Sequence, residues 1–495
     1  MLRATLISLA LFLAAGGSAA GVEPNSCHIS ADTIGLSAES QIFFPDSPGW
    51  ADETIRWTEY MPPTYSVAVR PTLESDVQAL VKFATRCNIP FLASSAQHGF
   101  TTTLSKLQGG MEIDLSAFRN VSVNAGENTL TVGGGVRFLD VFDPVFEAGK
   151  EISTGSGACV GLISPTLGGG VGRLSGLHGI ISDQLLSARL VIANGSIVTA
   201  SAKENTDLFW ALRGAGANFG IVVEAVYQVT DLASENVINM DYAFTSNDTG
   251  AIIDYLASFG LDMPAKLSFI IEALYNEKLY GGFVVIVNAV YNGPLDEAEA
   301  LIAPLLSTVT PIKQNVTSVP ENKLVYAATF GSQGDPTIAC TGKGVDRSIF
   351  GGAVKTYDKA TYVGFINAYK DLLTTNADLR GSVFFIEHFS NVKVNEIPDD
   401  SSSFPYRDIT AHLLFNYAWT DPANEAPIDA FGKKWRAAFE ETSGFNPPQL
   451  YVNYGHGDES TEMLYSAKNL PRLRALKAQW DPDNAFRFHH DLTAN

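Results

Sequence analysis

The chain has 495 residues, 46% of them hydrophobic and only 17% charged, a balance that gives a large buried core over two or three domains and excludes disorder. Its 33 basic residues stand against 53 acidic ones, for a net charge of −20. Nucleic acid and anionic membrane surfaces both need basic protein surface, so neither is expected as a partner.

Residues 1–20 have the pattern of a signal peptide. Arg3 supplies the positive start, Leu6 to Ala15 the apolar stretch and Ser18-Ala19-Ala20 the small residues of a cleavage site. The apolar run is shorter than the roughly 20 residues a membrane helix needs. A protein without a stable membrane anchor, secreted or held in the secretory-pathway lumen, is therefore expected. Asn-x-Ser/Thr sequons at Asn120, Asn194, Asn247 and Asn315 agree with that route. The 4 cysteines are too few for a disulfide scaffold. In an oxidising compartment Cys27 and Cys87 would pair, pinning an irregular N-terminal arm (residues 21–60) to the first helix.

Regular structure is expected from Tyr65–Val69, a strand, followed by a helix with Thr72 as N-cap and Val77, Leu80, Val81 and Ala84 at helical spacing. Ile89–Ala93 is a short buried strand. It runs into Ser94-Ser95-Ala96-Gln97-His98-Gly99, a loop of small residues carrying one nucleophilic imidazole. Loops at such strand ends are common ligand sites. Further strands are expected around Met111–Leu115 and Thr129–Val132, then a helix with Phe138, Val141, Phe142, Val145 and Phe146 on one face. Leu185–Ile192 and Ile197–Ala200 flank Asn194-Gly195, a hairpin signal. A helical piece at Leu208–Leu212 leads through glycines to the strand Ile221–Tyr227, and a domain boundary falls near residue 233. Beyond it, Leu267–Tyr275, Gly282–Tyr291, Val383–Phe389 and Ile409–Trp419 have the pattern of strands of a broad antiparallel sheet, with helices around Asp296–Leu306 and Arg472–Trp480.

Gly168-Gly169-Gly170-Val171-Gly172, with Gly179 following, keeps backbone open to a flat ring or a pyrophosphate. The run lacks the Gly-Lys-Ser/Thr ending of a P-loop and the strand–helix context of a Rossmann fingerprint, which argues against ATP and NAD. Near the C-terminus lies Tyr451-Val452-Asn453-Tyr454. In this order the pieces suggest a flavin held by two backbone loops and bonded to His98, whose imidazole nitrogen can attack the electron-poor methyl carbon of an oxidised isoalloxazine.

These motifs resemble those of the FAD-linked oxidases of the vanillyl-alcohol-oxidase superfamily, in particular the berberine-bridge-enzyme-like branch, over nearly all of the mature chain. Pro90–His98 looks like the family's flavin-linking loop, usually Arg-Ser-Gly-Gly-His. Ser95 and His98 fit that pattern, while Ser94, Ala96 and Gln97 depart from it. Leu167–Gly172, Asp183, Arg213–Gly216 and Asn218–Val222 resemble its other cofactor segments, and Tyr451–Tyr454 with Asp481–Asn484 its C-terminal signature. Pro165 stands where many relatives place a His. Many members add a second bond from a Cys in a Cys-x-x-Val-Gly pattern. Here that position is Gly157, with Cys159 two residues away, so the resemblance implies one covalent bond through His98 and none through Cys159.

The resemblance implies an α+β fold: a two-part PCMH-type FAD-binding domain (61–233, completed by 447–495) around an α+β substrate domain (234–446). The FAD set would be Ser94, Ser95, Ala96, Gln97, His98, Gly99, Pro165, Gly168, Gly169, Gly170, Gly172, Gly179, Asp183, Gly220, Ile221, Val222, Asn453 and Tyr454. Oxidising an alcohol C–H needs a group to take the hydroxyl proton. Tyr451 is the first candidate, with His412 and Asn416 on one strand face beside Leu414, which takes the place of the family's carboxylate. The expected activity is hydride transfer from a small organic substrate, preferentially a secondary metabolite, to covalent FAD, with dioxygen as acceptor. An oligosaccharide oxidase and a flavin-binding protein without turnover remain open at this point.

Overall fold

The computed structural model describes residues 27–332, 340 and 342–494; the signal peptide and its cleavage site lie outside the described residues. Strands β1 (Gln41–Phe43), β2 (Tyr65–Arg70), β3 (Phe91–Ser94) and β4 (Gly110–Asp114) form a four-stranded sheet in the order β1-β2-β4-β3. Both β2 and β3 run parallel to β4. Strands β2 and β3, which run in the same direction, need a crossover between them, and α1 (Glu74–Arg86) supplies it, burying Val77, Leu80, Val81 and Ala84. The helix start differs from the sequence expectation. Leu73, not Thr72, takes the cap position, and its N–H donates to the Asp76 carboxylate at 3.0 Å. Asp76 also accepts from Ser37 and Ser40 of the N-terminal arm, and a Cys27–Cys87 disulfide ties that arm to the end of α1.

A five-stranded antiparallel sheet follows, ordered β5-β6-β9-β7-β8, from β5 (Val121–Asn124), β6 (Thr129–Gly133), β7 (Leu185–Val191), β8 (Ile197–Ser201) and β9 (Ile221–Gln228). The β7–β8 hairpin turns at Asn194-Gly195, where Gly195 has φ +75°, the left-handed conformation such a turn demands. Helix α2 (Phe138–Glu147) buries Phe138, Val141 and Val145 in the same core.

A seven-stranded antiparallel sheet follows, ordered β13-β10-β12-β11-β15-β16-β14. Its strands are β10 (Asn236–Phe244), β11 (Leu267–Asn276), β12 (Gly282–Tyr291), β13 (Lys313–Pro320), β14 (Asp346–Val354), β15 (Val383–Phe389) and β16 (Ala411–Trp419). Successive side chains on a strand point to opposite faces. One set, including Phe269, Ile271, Phe384, Ile386, Leu413 and Phe415, packs with Phe365 of α3 (Lys359–Thr375) and Phe439 of α4 (Glu425–Thr442). The other set holds Ile270 and Glu272, Phe385 and Glu387, and Leu414 and Asn416, and it lines the cavity described next. Strand parity therefore decides which polar groups reach the site.

All the sequon asparagines are exposed; Asn315 lies on the edge strand β13. No described helix is long and apolar enough to cross a membrane.

Candidate functional site

A cavity of about 620 Å³ is lined by residues of the end of β3, the glycine loop, the seven-stranded sheet and the C-terminal segment. Its first wall is the loop Ser94–Gly99, every residue of which reaches the cavity. The loop is held from behind. Ser94 Oγ donates to Glu112 Oε1 at 2.7 Å, and Arg56 Nη2 donates to the Gly99 carbonyl at 2.9 Å. Gln97 stands at φ +57°, a left-handed position that favours glycine. Side-chain bonds offset the strain: its amide donates to the Glu53 carbonyl and accepts from Lys343 Nζ at 2.6 Å. These bonds are why a glutamine is tolerated at a backbone position that favours glycine. The His98 ring stacks on Trp57 with centroids 5.1 Å apart. Burial, with Lys343, Arg347 and Arg56 nearby, lowers its pKa to about 3, so the imidazole is neutral and its lone pair available.

The glycine run behaves differently from its sequence reading. Only Gly168 of its glycines lines the cavity; Gly169, Gly170 and Gly172 do not, nor does Gly179. Their close contacts are with protein. A Cβ on Gly172 would lie 1.9 Å from the Thr154 carbonyl oxygen, and one on Gly168 2.1 Å from Asn453 Oδ1. The Asn453 amide donates to the Pro165 carbonyl at 2.9 Å and to Tyr451 Oη at 2.6 Å, and Gly170 N–H donates to the same hydroxyl at 3.0 Å. Tyr451 thus serves to lock the glycine loop to the C-terminal segment. Pro165, Gly220, Ile221, Val222, Asn453 and Tyr454 all line the cavity.

Asp183 departs furthest from its expected place. It is absent from the cavity wall and instead forms a two-pronged pair with Arg407, 2.8 and 3.0 Å, with both side chains almost wholly buried. Replacing Asp183 with Ala is expected to cost about 3–5 kcal/mol, because it strands a buried guanidinium. Denaturant unfolding checks this, and FAD content at permissive temperature should be unchanged.

Several polar side chains line the same cavity. Tyr454 Oη donates to Glu387 Oε2 at 2.5 Å. Burial pushes the Glu387 carboxyl up to about 7, against the opposing pull of the Tyr454 hydrogen bond and the Arg173 charge. Glu272 is raised to about 7 by burial as well. Arg173 is half-buried, donates to Ser268 Oγ at 3.3 Å and to Asn288 Oδ1, and is lowered by desolvation to about 10. Asn416 lines the cavity with its Oδ1 unpartnered among the described residues. His412 does not line it. It sits against the rings of Tyr451 and Tyr454, 5.5 and 6.2 Å away, and burial lowers it to about 4. Arg173, Glu272 and Glu387 escaped the sequence reading, although a single carboxylate within an apolar strand is itself a signal. Trp57, Arg56, Thr154, Gly155, Ser156 and His489 were missed too, and nothing local marks them.

Cys159 lines the cavity but is joined to Cys340, which takes the sulfur that a second cofactor bond would need. The Cys159→Ser/Cys340→Ser protein is expected to lose about 2–5 kcal/mol of stability with its covalently held flavin unchanged, read by thermal melting and intact mass.

Ser95 Oγ, Ser156 Oγ and His489 Nδ1 line the cavity, are buried and have no hydrogen-bond partner among the described residues. Buried polar atoms rarely stay unpaired. A flavin dinucleotide, with phosphates, hydroxyls and a polar ring edge, supplies such partners, and the residues present fit it.

Comparison with known proteins points the same way. Residues 65–201 match the family model described as FAD binding domain, and residues 450–492 the model described as berberine and berberine like. An FAD-linked oxidoreductase of Aspergillus fumigatus is 63% identical over 530 aligned residues, covering 100% of both chains. Among solved structures, the wild-type berberine-bridge-like protein 1 of Physcomitrella patens superposes with a TM-score of 0.83 at 22% identity, over 94% of this chain and 100% of that one. The glucooligosaccharide oxidase of Acremonium strictum, which carries a 6-S-cysteinyl, 8α-N1-histidyl FAD, gives 0.77 at 22% identity over 93% and 97%.

Proposed function

The chain belongs to the FAD-linked oxidoreductases of the berberine-bridge-like family, and from that premise we propose that it is an oxidase of a small, largely apolar metabolite, taking hydride from an alcohol or related C–H with dioxygen as final acceptor. The observation that carries this reading is the 2.5 Å contact between Tyr454 and Glu387 inside the cavity. Bound FAD supplies the two-electron acceptor. His98, Ser94–Gly99, Pro165, Gly168, Gly220–Val222 and Asn453 would hold it, with His98 as the covalent attachment.

The proton is the protein's task. A substrate hydroxyl placed at Tyr454 Oη gives its proton to the phenol oxygen as the phenol passes its own to Glu387. A carboxylate near neutrality is suited to that exchange. Asn416 offers a hydrogen bond that orients the substrate, and Arg173 steadies the negative charge on Glu387. His412, behind the tyrosines, holds their rings in place. Val171, Ile270, Leu324, Val325, Phe385 and Leu414 line the same cavity, and their apolar surface suits an aromatic or polyketide-like skeleton better than a sugar chain. Disulfides persist outside reducing compartments. The two disulfides and the exposed sequons therefore support a secreted or lumenal site of action.

The test is anaerobic bleaching of the bound flavin by two panels, benzylic and polyketide-derived alcohols against gluco- and chito-oligosaccharides. Bleaching by the first panel alone supports the proposal; bleaching by sugars alone overturns the substrate class.

A further inference from the structure

We propose that Trp57 and Arg347 form a clamp that sets the His98 ring for its bond to the cofactor, a positioning role that rests on the reading of His98 as the attachment residue. The two residues lie 290 positions apart in the chain. Trp57 belongs to the N-terminal arm and Arg347 to β14, and the segments around them are laced together. Thr58 Oγ1 donates to the Arg347 carbonyl at 2.8 Å and accepts from its N–H at 3.0 Å; Glu59 N–H donates to Val345 O and Gly344 N–H to Arg56 O.

The stack has a defined order. The Arg347 guanidinium lies 4.7 Å from the centre of the Trp57 ring, and the His98 imidazole stacks 5.1 Å away from Trp57 at an interplanar angle of 23°. A cation over an aromatic face holds that face in place, and Arg347 also donates to the Trp57 carbonyl. Trp57 in turn donates its backbone N–H to the Gln97 carbonyl at 3.1 Å, one residue before His98. Ring plane and loop backbone are therefore fixed by the same residue.

Ring plane matters because a nitrogen lone pair reacts along one direction. The bond forms between a ring nitrogen and a methyl carbon of the cofactor. One C–H and the imidazole N–H break, and both protons and the electron pair leave on dioxygen as hydrogen peroxide. An imidazole rotated out of the stack aims its lone pair elsewhere. The surrounding cations act in the same sense by keeping the ring neutral.

The full-length protein, produced with FAD, is acid-precipitated, and flavin is compared between pellet and supernatant alongside intact mass. In Trp57→Ala the covalent share of bound FAD is expected to fall at least about tenfold, since about 1 Å of misplacement costs on the order of 10²-fold in rate. Trp57→Phe, which keeps a ring face, is expected to restore most of it. Arg347→Met, which leaves Trp57 in place, is expected to lower it less. A wild-type covalent share in Trp57→Ala overturns the clamp. If Trp57→Ala does not fold, an unchanged share in Arg347→Met overturns it instead. His98→Ala runs as the control: flavin still bonded in that protein refutes the attachment reading itself, whatever the clamp variants do.

Discussion

Replacing Tyr454 with Phe, or Glu387 with Gln, is expected to slow anaerobic reduction of the bound flavin by about 10²–10⁴-fold, the usual worth of a positioned acid–base group, while FAD content stays at the wild-type level. The two residues act as one unit, so the double variant should be little slower than either single one. The wild-type rate should rise as pH passes upward through about 7, because Glu387 accepts a proton only when ionised. That rise is expected to vanish in Glu387→Gln. Stability moves the other way. A carboxyl whose pKa is raised on folding binds more protons in the folded state, so its contribution is complete below the ordinary value of 4.5 and is lost as pH rises through about 7. Glu272 and Glu321, also raised to about 7 by burial, add to the same slope. Denaturant unfolding of Glu387→Gln across pH 4–8, roughly the span of that titration, should show a flatter profile than wild type. Matching profiles would mean that Glu387 is ionised throughout and does not exchange a proton.

The second large effect is expected at His98. His98→Ala should retain FAD in the native protein but release it on acid precipitation, with slower substrate oxidation. Noncovalent retention follows from the number of other contacts, since the remaining residues of 94–99, Gly168, Gly220–Val222 and the C-terminal segment still line the cavity. Wild-type attachment should vary little between pH 5 and 9, because an imidazole with its pKa near 3 is neutral across that range. A pellet that keeps its yellow colour and full mass gain would place the bond on another residue.

Much of the frame was legible because local patterns dictated it. The Asn194-Gly195 hairpin follows from backbone chemistry, and β15 begins and ends at the residues its sequence pattern suggested. Strand β13 was not, since as a polar edge strand it lacks an alternating apolar face. Strand β14 was hidden by Gly351-Gly352 at its centre, glycine being a poor strand former. The site divides along the same line. The His98 loop announced itself by small residues after a buried strand. Asp183 did not, because its purpose is set by Arg407, 224 residues further on. The glycine loop misled for the same reason: the atoms that forbid a Cβ there belong to Thr154 and Asn453. Glu387 lies in a strand buried on nearly its whole length, Val-Phe-Phe-Ile-Glu-His-Phe. Period-two alternation therefore gave no hint of which face held the cavity.

The cavity's last pieces are also the last to be made. Tyr451, Asn453 and His489 complete its wall from the final stretch of the chain, and Asn453 and Tyr451 pin the glycine loop only once they arrive. A nascent polypeptide halted before residue 450 would own the His98 loop and the whole central sheet, yet have nothing to close over a dinucleotide. Stable loading of a dinucleotide is therefore expected only after this last stretch has been made.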